Sequence, residues 1–114
     1  MDNDKFNPDL IKEKLKDYSE KDIVPLKKEW RKWIENKQFD MFLKLKGANI
    51  QVIYDILKPH KVLSIRPAKY NQERIIITLK HSSNYKIEVI IKFDQPSKGQ
   101  IGIVTYIKEK IKRH

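Results

Sequence analysis

From Lys61 onward the apolar residues recur at every second position, in four runs separated by short turn-forming stretches. That period commits half the chain to β-strands, because only a pleated strand sends alternate side chains to opposite faces. The first run sets Leu63 and Ile65 inward against Ser64 and Arg66. The second sets Ile75, Ile77 and Leu79 against Arg74, Thr78 and Lys80. The third sets Ile87, Val89 and Ile91 against Lys86, Glu88 and Lys92. The fourth sets Ile101, Ile103 and Ile107 against Val104, Tyr106 and Lys108. The stretches Pro67 to Asn71, His81 to Asn84 and Asp94 to Gly99 carry the Pro, Asn, Ser and Gly of turns. Connections this short favour antiparallel neighbours, so the second half reads as a four-stranded meander.

The first half has a helical period. Asn7-Pro8-Asp9 is a helix start: a capping Asn, a Pro where no N–H is needed, and an acid at the positive dipole end. Leu10, Ile11, Leu15 and Tyr18 follow as an apolar stripe. A second helix is expected from Asp22 or Val24 to about Lys46, with Pro25 in its first turn and Leu26, Trp30, Trp33, Ile34, Met41, Phe42 and Leu45 inward. Gly47 stops it and Asn49 caps a third helix, whose Ile50, Ile53, Ile56 and Leu57 face inward until Pro59 ends it. The expected fold is therefore α+β, with three N-terminal helices on one face of a four-stranded, mainly antiparallel sheet. Its 114 residues make a single domain, in which 1–22 are an acidic extension, 23–58 helical and 59–114 a basic sheet.

Charge follows the same division. Residues 1–58 hold 13 Lys/Arg against 11 Asp/Glu, whereas residues 59–114 hold 12 against 4. A sheet with one greasy and one cationic face suits a polyanion, above all nucleic acid. The bland counterpart is a lysine-rich solvated surface, since 21 of the 25 basic residues are Lys. Without Cys there is no disulfide and no thiolate metal site. The three His do not make a metal-ligand pattern, and no glycine loop for a nucleotide is present, so neither metal nor cofactor is expected. No apolar run reaches the roughly 20 residues of a membrane span. The polar, acidic Met1-Asp2-Asn3-Asp4 start is unlike a secretory leader, and a cytoplasmic location is expected.

The chemistry left to such a face is that of phosphates and bases. Arg66 and Arg74 are candidate phosphate clamps, His81 a candidate acid or base, and Tyr106 a proton donor or stacking platform. Together they form a candidate catalytic set for RNA cleavage, in which the 2′-hydroxyl attacks the adjacent phosphorus without a metal. Lys69, Tyr70, Lys80, Lys86, Lys92 and Lys108 are the candidate nucleic-acid contacts. The alternative is a non-catalytic module that binds nucleic acid or protein through the same face. Two open sheet edges, with Trp30, Trp33 and Phe42 in excess of one small core, also suit a homodimer.

The stretch Phe42-Leu43-Lys44-Leu45-Lys46-Gly47-Ala48-Asn49-Ile50, then Val52 to Leu63 with its Leu57-Lys58-Pro59, and the closing Ile103-Val104-Thr105-Tyr106 resemble a pattern in small prokaryotic proteins. Over about residues 40–108 the chain is similar to BrnT-like and RelE-like toxins, compact ribonucleases paired with an antitoxin. The resemblance implies an RNA-directed toxin, a possible metal-independent endoribonuclease, with an acidic antitoxin as partner. The chain departs from the pattern in lacking a His near Phe39 or Asp40, and in carrying Lys44 and Lys46 where Arg is usual.

Overall fold

The computed structural model describes residues 6–26, 50–69 and 73–111. They form one five-stranded mixed sheet. The strands are β1 (Ile23–Pro25), β2 (Val62–Pro67), β3 (Ile75–Lys80), β4 (Tyr85–Phe93) and β5 (Ile101–Lys110), in the spatial order β1-β5-β4-β3-β2. Strands β2 to β5 pair antiparallel in sequence, and β1 lies parallel to β5. Among the described residues there is one full helix, α1 (Pro8–Leu15), and one short one, α2 (Ile50–Tyr54). This corrects the expectation of three helices on a four-stranded antiparallel sheet.

The additional strand, β1, occupies the place expected to start the second helix. Acid followed by Pro mimics a helix N-terminus at Asp22 to Pro25, but Asp22 serves the turn before it. Its carboxylate accepts from the Ser19 N–H at 2.9 Å and from the Ser19 hydroxyl at 3.3 Å, closing a 3-10 turn over Glu20–Asp22. The β-branched Ile23 and Val24 then extend along β5, Ile23 opposite Ile101 and Pro25 opposite Ile103. Leu26 donates its N–H to the Ile103 carbonyl at 2.9 Å, so Pro25 falls at a position turned away from β5, where its missing N–H costs no bond of this ladder. The remainder of that expected helix, with Trp30, Trp33 and Phe42, lies outside the described residues.

Helix α1 starts as its sequence dictates: the Asn7 side chain accepts from the N–H groups of Asp9 and Leu10 at 2.9 and 3.3 Å. Ile11 and Leu15 turn inward, and Tyr18 reaches the core beyond the helix, its ring 5.7 Å from that of Phe93. Leu10, expected in the same stripe, is 66% exposed. The third expected helix is α-helical only to Tyr54 and tightens into a 3-10 turn at Asp55–Leu57. Lys58 is extended, as a residue before Pro must be. Ile53 and Ile56 are buried against the sheet.

The core is the isoleucine face. Ile75, Ile77 and Leu79 lie opposite Ile91, Val89 and Ile87, and all six are buried. Two irregularities change the faces expected on the outer strands. A register shift between Val62 and Ser64 puts Val62 and Ile65 inward, while Leu63 is 56% exposed. Another, opposite the Ile90–Ile91 step, inserts Val104 as an extra residue in β5. Beyond it Tyr106 faces Val89 and Lys108 faces Ile87, on the core side, while Ile107 joins Glu88 on the other face. A bulge flips every later side chain on its strand, which alternation alone does not reveal.

On the face opposite the core, Gly102 lies between Val24 and Lys92, and Leu26 folds over it. A Cβ at Gly102 would stand 2.7 Å from Leu26 Cγ and both its methyls. Gly102→Ala is therefore expected to destabilise the fold by about 1–3 kcal/mol through overpacking. Urea unfolding would measure this, and adding Leu26→Ala should recover part of the loss.

Candidate nucleic-acid interface

Strand register sorts the cationic face into rows. Arg66, Ile76 and Ile90 form one row; Ser64, Thr78, Glu88 and Ile107 form the next; Lys80, Lys86 and Glu109 form the last, beside the β3–β4 turn. Three of the four acids of the basic half lie against its cations. Glu88 Oε2 accepts from Arg66 Nη2 at 2.6 Å, Glu109 lies 3.8 Å from Lys86, and Glu73 lies 3.6 Å from Lys92. Arg66 Nη1 also donates to Thr78 Oγ1 at 3.2 Å, and the Thr78 hydroxyl lies 3.5 Å from the Glu88 carboxylate. The Glu88 side chain is 11% exposed and that of Arg66 47%, so the carboxylate is held under its cation. The middle of the face is thus internally neutralised.

The expected catalytic set does not converge. Arg66 lies in that ion pair. Arg74 precedes β3 and His81 follows it, so they are separated by the length of the strand, about 20 Å at the usual rise. Tyr106 is on the core side with its hydroxyl buried, and burial pushes its phenol above the usual range. Among the expected nucleic-acid contacts, Lys80, Lys86 and Lys92 share the outer face, Lys108 is on the core side, Lys69 lies just beyond β2, and Tyr70 lies outside the described residues.

Positive charge collects instead at the hairpin end of the sheet. The single hydrogen bond from the Ala68 N–H to the Arg74 carbonyl sets the alternation of the ladder. By that alternation Lys80 and Lys86 form a non-hydrogen-bonded pair, the kind whose side chains approach most closely. Like charges directly opposite repel, and an anion between them relieves the repulsion. Lys108 lies with its ammonium 4.8 Å from the centre of the Tyr85 ring, and Lys110 pairs with Tyr85. The turn is firmly built. Ser82 Oγ accepts from the N–H groups of Asn84 and Tyr85, Ser82 N–H donates to the Tyr85 carbonyl, and Ile111 N–H ties β5 to the Asn84 carbonyl at 2.8 Å.

Tyr85 and Lys110 were not singled out by sequence. Tyr85 sits just past a turn motif, and Lys110 falls in a charged tail that β5 extends into, so the position of each beside a hairpin was the available signal. Among the described residues no three His, Asp or Glu are grouped so as to hold a metal ion, and no helix is long and apolar enough to cross a membrane. No family model, curated protein or solved structure matches this chain.

Removing Arg66 strands the Glu88 carboxylate beneath the face. Arg66→Ala is expected to cost about 1.5–3 kcal/mol in chemical unfolding, toward the lower end because Arg66 is half exposed. Glu88→Gln should cost less, since the amide keeps a hydrogen-bonding oxygen. Tyr106 makes a separate prediction about alkali. Its folded-state pKa is raised by burial, so its contribution is fully present below the unfolded value and is lost as pH rises through the folded one. Stability should fall above about pH 10, and less steeply in Tyr106→Phe. Tyr18, raised by burial and then by Asp94, Asp17 and Asp22, contributes in the same direction in both proteins.

Proposed function

We propose that the protein is a nucleic-acid-binding module that grips single strands with the hairpin end of its sheet. The observation that carries the reading is the directly opposed Lys80–Lys86 pair on the outer face, beside Glu109, with Lys108 and Lys110 on the other face of the same sheet end. A single strand passing over that end meets phosphate-binding lysines on both faces, and the 38% exposed Tyr85 ring, on the face of Lys108 and Lys110, offers a surface on which an unpaired base can stack. This is the binding alternative to RNA cleavage. The residues cast as clamp, acid–base and proton donor stand in separate places, so no cleavage step is assigned to them. The similarity to BrnT-like and RelE-like toxins makes RNA the first target to test, and a cysteine-free chain suits a reducing cytoplasm.

Fluorescence anisotropy with labelled single-stranded RNA and DNA tests the reading. Affinity should fall steeply with salt, and replacing Lys80 and Lys108 by Glu should flatten the log–log slope by roughly 0.7 for each phosphate no longer neutralised. Tyr85→Ala should weaken binding by about 1–3 kcal/mol, whereas Arg66→Ala should leave it within twofold. Salt-independent affinity, or equal losses from Arg66→Ala and the Lys80/Lys108 variant, would overturn the assignment. RNA incubated in chelator should stay intact, and cleavage that falls in Arg74→Ala and Tyr106→Phe would restore the catalytic reading.

A further inference from the structure

Strand β2 forms one edge of the sheet, with no strand among the described residues on its outer side. The Ala68–Arg74 hydrogen bond places Ala68, Arg66 and Ser64 with their backbone groups turned toward β3. Ile65 therefore directs its N–H and C=O outward, and Pro67 its C=O alone. Helix α1 runs beside this edge. Pro8, Asp9 and Lys12 face Val62, Leu63, Ser64 and Ile65 across a cleft of about 160 Å³. Small-molecule pockets run roughly 300–1,000 Å³, so this space suits a side chain rather than a whole ligand. Leu63 and Leu10, the two most exposed large apolar residues described, lie on the elements that form it.

We infer that the β2 edge accepts an extended segment of a partner protein as a sixth strand, one that alternates apolar and acidic residues. Backbone pairing at Ile65 supplies the register, the cleft takes an apolar side chain, and the cations supply the charge preference. Arg66 is engaged by Glu88, so the charge preference rests on Lys61 just before β2 and on Lys12, which lines the cleft from α1, where Asp9 is the acid. A second copy of this chain fits poorly. Antiparallel self-pairing centred on Ile65 puts Lys61 of each copy opposite Lys69 of the other, a like-charge contact made twice. An acidic strand meets the same lysines with opposite charge.

The probe is a seven-residue peptide alternating Val and Glu, with hepta-glutamate as control and amide exchange followed by NMR. At free peptide about ten times its Kd, exchange at Ile65 should slow roughly tenfold, because only the unbound fraction leaves that N–H open. The Ser64 and Arg66 amides, already turned into the sheet, should change little. Lys12→Glu with Lys61→Glu should weaken binding roughly tenfold, as two exposed contacts pass from attraction to repulsion. Binding should survive in the Lys80→Glu/Lys108→Glu variant, which separates this surface from the hairpin site whether or not that site binds nucleic acid. Peptide that binds without protecting Ile65, hepta-glutamate that binds equally well, or no binding at millimolar peptide would overturn the inference. So would a dimer in sedimentation that protects Ile65 without peptide.

Discussion

Everything in this fold is arranged around keeping one face of β4 dry. Ile87, Val89 and Ile91 have no solvent exposure, and full burial of such a side chain contributes about 1.5–3 kcal/mol. β3 supplies Ile75, Ile77 and Leu79 opposite them, β5 supplies Ile101 and Ile103, and Leu15, Ile53 and Ile56 close the layer from the helices. β-Branched side chains suit this position, since they are stiff and pack well on a pleated surface. Among the described residues the helical elements are short, and Leu15, Ile53 and Ile56 are their fully buried contributions to that face.

The strong period of β3 and β4 made their facing readable from sequence residue by residue, and the Asn7-Pro8-Asp9 start of α1 was equally plain. The outer strands were harder for a shared reason. Leu63 and Val104 are single extra residues, and one extra residue carries no compositional mark while reversing every side chain beyond it. Tyr106 and Lys108 changed faces on that account, and with Tyr106 went a member of the expected catalytic set. β1 was missed because three residues are too few to show a period, and its Pro imitates a helix start.

Composition likewise described the charge of the second half but not its distribution. A surplus of cations over four acids suggests a uniformly positive face. The strand register instead sets Glu73, Glu88 and Glu109 beside Lys92, Arg66 and Lys86. Glu88 is covered by Arg66 and touched by Thr78, an arrangement in which the buried carboxylate needs its cation more than the half-exposed cation needs it. A charge count is a property of the sequence, whereas a potential is a property of the fold. The middle of that face is thereby neutralised by the chain's own acids.

The parallel pairing of β1 with β5 also bears on the order in which the chain can assemble. The antiparallel strands are linked by short connections and can form hairpin by hairpin as they leave the ribosome. Ile23 must wait for Ile101, roughly eighty residues later, so its contact is the slow, long-range step of the topology. During synthesis β1 has no partner strand until nearly all of the described chain exists. Pairing with the last strand makes β1 the latch of the structure: the first of the described strands to be made and the last to find its place.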